Sequence, residues 1–363
     1  MNLASTSPGD PVPELLLQET SPYGTRRASL LRGEGDLYLY LEDLVGPTPA
    51  TASAVWVANY TPAPTGRDES PPGTPPRMGA GGTYFPEGCP DLGRAMSLVW
   101  FEEGDAVAIV DAEGVLAAIP GWAGRSEFYG YSRYARGRSP LAWELTRDAK
   151  GALETKVVES RDFWSWRLGA AWPEVRAAGL GHLEARVGPQ EAAWPLGTAR
   201  FPELIATRHR LGEQQIWVTA TTGLSAQRMA GVDQYVDEPE KAARIELAIA
   251  RTQPDQAGAE MLSSLATIPF GRCTWLGEGH TIGGSPGNYP AFGPDKAAVL
   301  LTASPPAGNQ APLPDLSGLA RRGDPVTYLW VMLIDEETFR LARGRDARAA
   351  VQHLQVRGAS WIQ

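Results

Sequence analysis

The chain has very little of what metal sites are made from. Its 363 residues include only two cysteines and four histidines. Cys89 and Cys273 lie in different halves without CxxC spacing, and no two histidines stand two or four residues apart. Compact zinc sites need closely spaced ligands of these types. We therefore expect no metal ligands and no stoichiometric transition metal, and the spacing of the cysteines gives no support for a disulfide.

The common catalytic motifs are missing as well. The sequence contains no GxxxxGK[ST] phosphate loop and no HExxH zinc pair. Gly-Gly-Ser-Pro-Gly at 283–287 has the GxSxG spacing, but the Gly-rich string there does not join a strand to a long helix, as a nucleophile elbow must. The missing motifs would place a phosphate cradle or two metal ligands on one surface. Their absence favours a protein with no catalytic residues and no cofactor, and we expect nucleotides to leave its melting temperature unchanged.

Clustered positive charge and long apolar runs are also absent. The 33 basic and 42 acidic residues give a formal charge of -9 and are interspersed along the chain. Nucleic-acid binding requires clustered Lys and Arg, so nucleic acid is not an expected partner. No segment approaches the ~18 apolar residues of a membrane helix, and the first thirty residues lack a secretory signal. We expect a cytoplasmic protein without membrane contacts.

What the sequence has in quantity is glycine and proline, with 40 and 31 residues. Such a composition predicts many turns and short strands rather than long helices. We predict an α+β fold with two domains, each a mixed, mainly antiparallel sheet flanked by helices. The predicted parts are a loosely ordered lead-in at 1–24, an N-terminal domain at 25–180, a linker at 181–202 and a second domain at 203–363.

The second half carries the clearer periodicity. Alternating or continuous apolar residues predict strands at 204–211, 215–221, 244–251, 297–302 and 326–334. Apolar stripes at helical spacing predict helices at 258–268 and 346–354. Asp335, followed by two glutamates, is placed as the N-cap of a further helix rather than as part of an acid–base site.

Two acidic residues and one histidine are the candidates for chemistry. Asp237 and Glu238 lie in a polar loop before a strand, and His280 stands in a Gly-Glu-Gly-His turn. A solvated loop and a surface turn explain them without chemistry. The alternative is a hydrolase-like enzyme whose site is assembled from distant segments around His280 and Glu238 or Asp237.

Four blocks in the second half follow one another in a recognisable order, at residues 215–225, 244–251, 275–282 and 326–340. The first holds Trp217 and Thr219 and ends in Gly-Leu-Ser at 223–225, and the second holds Glu-Leu at 246–247. Over residues 195–357 this order and spacing resemble the suppressor of fused domain family. A weaker likeness in the first half is to the N-terminal region of long bacterial members.

The resemblance implies a non-enzymatic module that binds other proteins. Animal members hold a short peptide that adds a β-strand between two lobes, using a tyrosine after Gly-Leu-Ser and an acid before Glu-Leu. The acid position falls at Glu238, whereas the tyrosine position is Arg228, with Tyr235 in the same loop. Bacterial relatives look like immunity proteins of toxin systems, so the implied partner is a protein or peptide that the sequence does not name.

The loop at residues 228–241 is the predicted binding surface. It joins two strands, yet its fourteen residues exceed the usual length of such a connection. We predict that Tyr235, Asp237 and Glu238 face a groove between the two domains, with Arg228 and His280 as further binding residues. A solvated hairpin tip is the alternative interpretation of the same loop.

Overall fold

The structure is a computed structural model that describes residues 13–65, 75–90, 92, 95–197, 203–285, 287–307, 311–344 and 347–363. Helices make up 28% and strands 31% of the chain, arranged in several mixed and antiparallel sheets. This confirms the predicted α+β class. The first part of the predicted lead-in and part of a Pro-rich loop at 61–90 lie outside the described residues.

The chain divides into two compact units. The first contains the described residues up to Leu168, together with the short segments Asp233–Tyr235 and Gly271–Cys273. The second contains Gly169–Val232, Val236–Phe270 and the described residues from Thr274 to Gln363.

The first unit holds a four-stranded and a five-stranded sheet. The strands, in chain order, are β1 (Glu14–Thr20), β2 (Arg26–Arg32), β3 (Asp36–Asp43), β4 (Ala50–Asn59), β5 (Ser97–Trp100), β6 (Val107–Asp111), β7 (Gly114–Ile119), β8 (Tyr131–Ser132) and β9 (Trp143–Glu144). Neighbouring strands pair in sequence order within each sheet, and all pairs except β8 with β9 are antiparallel. The predicted lead-in thus contains a strand, β1, which pairs with β2.

One long helix, α1 (Arg147–Leu168), belongs to the first unit. The sequence places its start only at Asp162, because Phe163, Trp166 and Ala170 give the clearest apolar spacing. The helix begins fifteen residues earlier, since Leu153 and Val157, four residues apart, are buried against the five-stranded sheet. Polar residues between them hide this stripe in the sequence.

The second unit is built on one seven-stranded mixed sheet. Its strands are β10 (Gln190–Pro195), β11 (Ile205–Arg210), β12 (Trp217–Thr222), β13 (Ile245–Arg251), β14 (Thr281–Gly283), β15 (Lys296–Thr302) and β18 (Thr327–Asp335), and a separate hairpin is formed by β16 (Ala320–Arg321) and β17 (Asp324–Pro325). The order across the sheet is β10-β11-β12-β13-β18-β15-β14, and only β13 and β18 run parallel. All five strands predicted in this half are present.

The helices of the second unit are α2 (Ala171–Arg186), α3 (Val232–Tyr235), α4 (Pro239–Ala242), α5 (Ala257–Ala266), α6 (Ile268–Arg272), α7 (Glu336–Gly344) and α8 (Ala347–Val356), of which α3 and α6 share residues with the first unit. On β12, Val218 and Ala220 pack in one cluster with Leu183 of α2, whereas Thr219 lies against Gly258 of α5. Since side chains alternate along a strand, α2 and α5 cover opposite faces of the sheet.

The segment 181–202 that the sequence predicts as a linker contains regular structure. Residues 181–186 complete α2, and β10 follows. Leu183 and Val187 are buried in the core of the second unit, which extends the helix through a stretch rich in glycine. Gly188 then takes a left-handed φ of 145°, consistent with the end of the helix at this point.

The predicted cap at Asp335 is confirmed, and it supports a stability prediction. Its Oδ1 accepts a hydrogen bond of 2.8 Å from the backbone N of Thr338 in the first turn of α7. Replacing Asp335 by Ala should lower the free energy of unfolding by about 1 kcal/mol, the usual cost of losing an N-cap. Urea denaturation checks this, with Asp335→Asn as the capping control. Equal losses in the two variants would contradict the capping role.

Candidate functional site

The Gly-Leu-Ser segment forms a tight turn after β12. Gly223 has a left-handed φ of 114°, and a Cβ there would lie 2.6 Å from the backbone oxygen of Glu203. Only glycine fits both the conformation and the space. The turn directs the backbone N–H groups of Gly223 and Ser225 toward β13.

The carboxylate of Glu246 on β13 accepts hydrogen bonds from those two N–H groups. One carboxylate oxygen, Oε1, accepts hydrogen bonds from the backbone N of Gly223 at 3.0 Å, the backbone N of Ser225 at 3.1 Å and Ser225 Oγ at 2.6 Å. The other, Oε2, accepts one from Thr221 Oγ1 at 2.6 Å. Glu246 is only 1% exposed. This buried carboxylate therefore fixes the turn, since buried charges persist only when they are fully hydrogen-bonded.

A second buried carboxylate, Asp324 on β17, lies between two arginines. Arg228 donates two hydrogen bonds of 2.7 Å to it, and Arg244 Nε donates one of 2.8 Å. Arg244 also donates to the backbone oxygen of Ser225 at 3.2 Å. Burial alone would raise the pKa of Asp324, but the hydrogen bonds and charges of both arginines outweigh it and lower the pKa below its usual value.

The loop at 228–241 contains regular structure and buried residues, so it is not exposed to solvent along its whole length. It contains α3 and α4, and it is closed by a hydrogen bond of 2.9 Å from the backbone N of Met229 to the oxygen of Ala243. Met229 and Val232 are buried. The loop is thus anchored at its base by these residues and by the Arg228–Asp324 pair.

The predicted binding residues of this loop differ in exposure. The Tyr235 side chain is 69% exposed at the end of α3, and Asp237 and Glu238 are exposed beyond it. Glu238 pairs with Lys241, and both side chains are more than 60% exposed, so the pair contributes little to stability. Arg228 is instead partly buried in its ion pair with Asp324.

His280 is connected to the same loop through the segment 275–276. The rings of Trp275 and His280 are 4.3 Å apart in an edge-on arrangement, and Trp275 also lies against Gly231 of the loop. The backbone N of Leu276 contacts Met229 Sδ at 3.4 Å. Burial lowers the pKa of His280 below its usual value, against the opposing effect of a hydrogen bond with the backbone of Trp275.

In the described part of the chain, no hydrogen bond or ion pair joins His280 to Asp237 or Glu238. The ring of His280 packs on Trp275 instead, and the carboxylate of Glu238 pairs with Lys241. A catalytic base and its orienting acid require mutual hydrogen bonding. In this structure His280 and the two carboxylates therefore take part in separate contacts.

The residues of the two buried carboxylate clusters and of the loop at 228–241 lie in a part of the chain that matches a family model. Residues 199–362 match the family model for Suppressor of fused protein (SUFU). The match is consistent with a suppressor of fused domain over these residues. Neither the curated proteins nor the solved structures gave a significant match to the chain. The family is known as a non-enzymatic regulatory and binding domain.

The matched region, residues 199–362, contains every residue of the two buried carboxylate clusters. Glu246 with residues 221–225 falls within two of the sequence blocks that carry the family resemblance. Asp324 was not singled out from the sequence, where it stands in an Arg-Arg-Gly-Asp-Pro turn without any sign of its partners. Arg228, predicted as a binding residue, is also a structural partner of Asp324.

The described residues hold no group of three or more His, Cys, Asp or Glu side chains that could bind a metal ion. None of their helices has the length and apolar character needed to cross a membrane.

Proposed function

We propose that this protein is a non-enzymatic binding module that sequesters or neutralises a protein partner. The family match over residues 199–362 carries the proposal, because that family binds proteins. The proposed contact surface consists of Tyr235, Asp237, Glu238, Arg228 and His280. The partner would be a protein or peptide, and the proposed role is that of an immunity-type protein of a bacterial toxin system acting in the cytoplasm.

The exposed aromatic residue supports this surface. Tyr235 exposes 69% of its side chain beside a loop base that is firmly packed. Tyrosine is enriched at protein interfaces because it offers a large contact area at low entropic cost. Arg228 would contribute by holding the loop through Asp324, and a partner residue could reach its exposed part.

Charge and strand pairing indicate what kind of segment would fit. Asp237, Glu238 and Glu240 are exposed and acidic, which suits a basic or polar peptide. His280 directly precedes β14, which is an outer strand of the seven-stranded sheet and, among the described strands, pairs only with β15. An added peptide strand along β14 would pass His280, and such edge pairing is a common mode of peptide recognition.

A charge reversal at Glu238 tests this assignment. We expect Glu238→Arg to reduce capture of the partner at least tenfold from a lysate of the native host, because it opposes a basic ligand. Its free energy of unfolding should stay within ~0.5 kcal/mol of the original, as for other exposed sites. Capture is measured by affinity purification and quantitative mass spectrometry.

The matched control is Glu213→Arg, which makes the same charge change at an exposed turn between β11 and β12. It should capture the partner as the unchanged protein does. Undiminished capture by Glu238→Arg, with the fold intact, would refute the role of this loop. Equal losses of partner capture in both variants would show that the net charge of the protein, rather than the position of Glu238, determines partner binding.

A further inference from the structure

The first unit displays two exposed arginines on one turn. Arg136 and Arg138 flank Gly137, and both arginine side chains are exposed. Among the described residues, no carboxylate forms an ion pair with either guanidinium. By contrast, Arg133, three residues before Arg136, pairs with the carboxylates of Asp111 and Glu113. The turn therefore presents positive charge to solvent on a chain whose formal charge is -9.

Glu144 fixes the backbone of this turn. Its carboxylate accepts hydrogen bonds from the backbone N of Gly137 at 2.8 Å and from the hydroxyl of Tyr84 at 2.6 Å. The backbone N of Glu144 donates in return to the oxygen of Gly137 at 2.7 Å. Gly137 has a left-handed φ of 69°, which glycine adopts without strain. The hydrogen bonds from Tyr84 and Gly137 lower the pKa of Glu144, so its charge offsets only part of the positive charge of the two arginines.

Trp143 holds the guanidinium of Arg138. The Cζ atom of Arg138 lies 4.3 Å from the ring centroid of Trp143, and the two residues also form a backbone bridge. The ring of Phe128, which is only 3% exposed, supports Trp143 with 4.7 Å between the ring centroids. Cation–π attraction to the ring leaves the N–H groups of a guanidinium free to bind a carboxylate in a bidentate geometry. Arg138 is thus oriented before any ligand arrives.

Tyr84 adds an exposed aromatic ring beside the turn. Its side chain is 52% exposed. Its backbone N donates to the oxygen of Tyr134 at 3.0 Å, and the backbone N of Arg136 donates to the oxygen of Gly82 at 2.8 Å, so the two segments are joined. Tyr, Trp and Arg are the residue types that dominate binding at protein interfaces. A surface that is already ordered reduces the entropic cost of binding.

We propose that the arginine surface, which consists of Tyr84, Arg136, Arg138 and Trp143, binds an acidic peptide segment of a protein partner. Carboxylates of the segment would pair with the two guanidinium groups, and its apolar atoms would lie on the exposed ring of Tyr84. A nucleic acid fits less well, because its binding depends on many clustered cations, whereas this surface offers two. The surface is additional to the loop at 228–241, for which a basic or polar segment is proposed.

Rhodamine-labelled hexapeptides test this charge preference on the full chain. A peptide of alternating glutamate and alanine should give saturable fluorescence polarisation that weakens as salt is added. The matched peptide of alternating glutamine and alanine should bind about tenfold more weakly, since it lacks both ion pairs. A labelled oligothymidylate of equal charge should also bind more weakly than the glutamate peptide.

Paired variants test the location of binding. The double variant Arg136→Gln/Arg138→Gln should bind the glutamate peptide about tenfold more weakly. Its matched control, Arg161→Gln/Arg176→Gln, makes the same change of net charge at exposed positions of α1 and α2 and should bind as the original protein does. Arg138→Lys keeps the charge but loses the planar guanidinium, so we expect an intermediate loss of about threefold. Circular dichroism of each variant checks that the fold is unchanged.

Three results would overturn the proposal. The first is a glutamate peptide that binds no more tightly than the glutamine peptide, including the absence of binding by either. The second is an equal loss in the two double variants, which would assign the attraction to net charge rather than to the arginine surface. The third is oligothymidylate binding as tightly as the glutamate peptide, which would indicate a nucleic-acid ligand. The probes carry no basic segment, so these results leave the proposed role of the loop at 228–241 to its own variants.

Discussion

Replacing Asp324 by Asn should lower the free energy of unfolding of the second unit by about 3 kcal/mol. The substitution keeps the size of the side chain but removes the charge that faces Arg228 and Arg244. Arg244 is only 1% exposed, so its buried guanidinium would lose the carboxylate charge that faces it. Removing one member of a buried ion pair is among the most costly single substitutions. Urea denaturation followed by tryptophan fluorescence measures the loss.

Arg228→Gln is the matched control for this prediction. The Arg228 side chain is 30% exposed, and its loss leaves Asp324 still paired with Arg244. The expected cost is about 1 kcal/mol. If Asp324→Asn is no more destabilising than Arg228→Gln, the buried Arg244–Asp324 ion pair does not stabilise the fold more than the partly exposed Arg228–Asp324 pair.

The same pair gives a pH dependence with a definite sign. The folded-state pKa of Asp324 lies below its ordinary value of 3.8. Its contribution to stability is therefore fully present above the unfolded pKa and is lost as the pH falls through the folded pKa. The stability difference between the original protein and Asp324→Asn should be constant at neutral pH and shrink below about pH 4. A difference that grows on acidification would contradict this linkage.

Replacing Glu246 by Ala should cost about 4 kcal/mol, the largest effect expected at any single position of the domain. Four donors from Thr221, Gly223 and Ser225 lose their acceptor in a site closed to solvent. Each unsatisfied buried group costs about 1–3 kcal/mol. The space left by the shortened side chain admits water, which can form hydrogen bonds with some of these donors and lower the total cost. Denaturation midpoints of the purified variants give the measurement.

Glu246→Gln separates hydrogen bonding from packing. The amide oxygen can replace Oε1 as acceptor for Gly223 and Ser225, and the amide nitrogen can donate to Thr221 Oγ1. We expect a loss of only about 1 kcal/mol for this variant. Equal losses for Glu246→Ala and Glu246→Gln would show that the carboxylate charge, rather than the four hydrogen bonds, stabilises the turn.

Local patterns predicted much of the second unit. The five strands and the helices at 258–268 and 346–354 were visible because their apolar residues recur at the periods of strands and helices. The structure gives them as β11, β12, β13, β15, β18, α5 and α8, with ends that differ by a few residues. The cap at Asp335 was equally predictable, since capping depends on residues three positions apart.

Contacts between distant segments were not predictable in this way. Asp324 meets Arg228 and Arg244, which precede it by 96 and 80 residues, and the parallel pairing of β13 with β18 brings them together. The start of α1 was missed for a different reason. Its stripe of Leu153 and Val157 is preceded by Gly151 and interrupted by charged residues, so the sequence alone shows no clear period there.

Within the proposed site, the sequence located the loop but not its anchoring. Loop length and the family resemblance selected residues 228–241, whereas α3, α4 and the burial of Met229 depend on packing that no local pattern encodes. The roles of Tyr235, Asp237, Glu238, Arg228 and His280 in partner binding stay predictions. Their placement along a groove between domains stays a prediction too.

Hydrogen–deuterium exchange of the full chain, measured with and without its captured protein partner, locates the surface that the partner covers. We expect the partner to slow exchange in residues 228–241 and in the β14 segment after His280. Glu238→Arg should reduce that protection at equal partner concentration. Protection confined to other parts of the chain, with these two segments unchanged, would contradict the proposed binding surface.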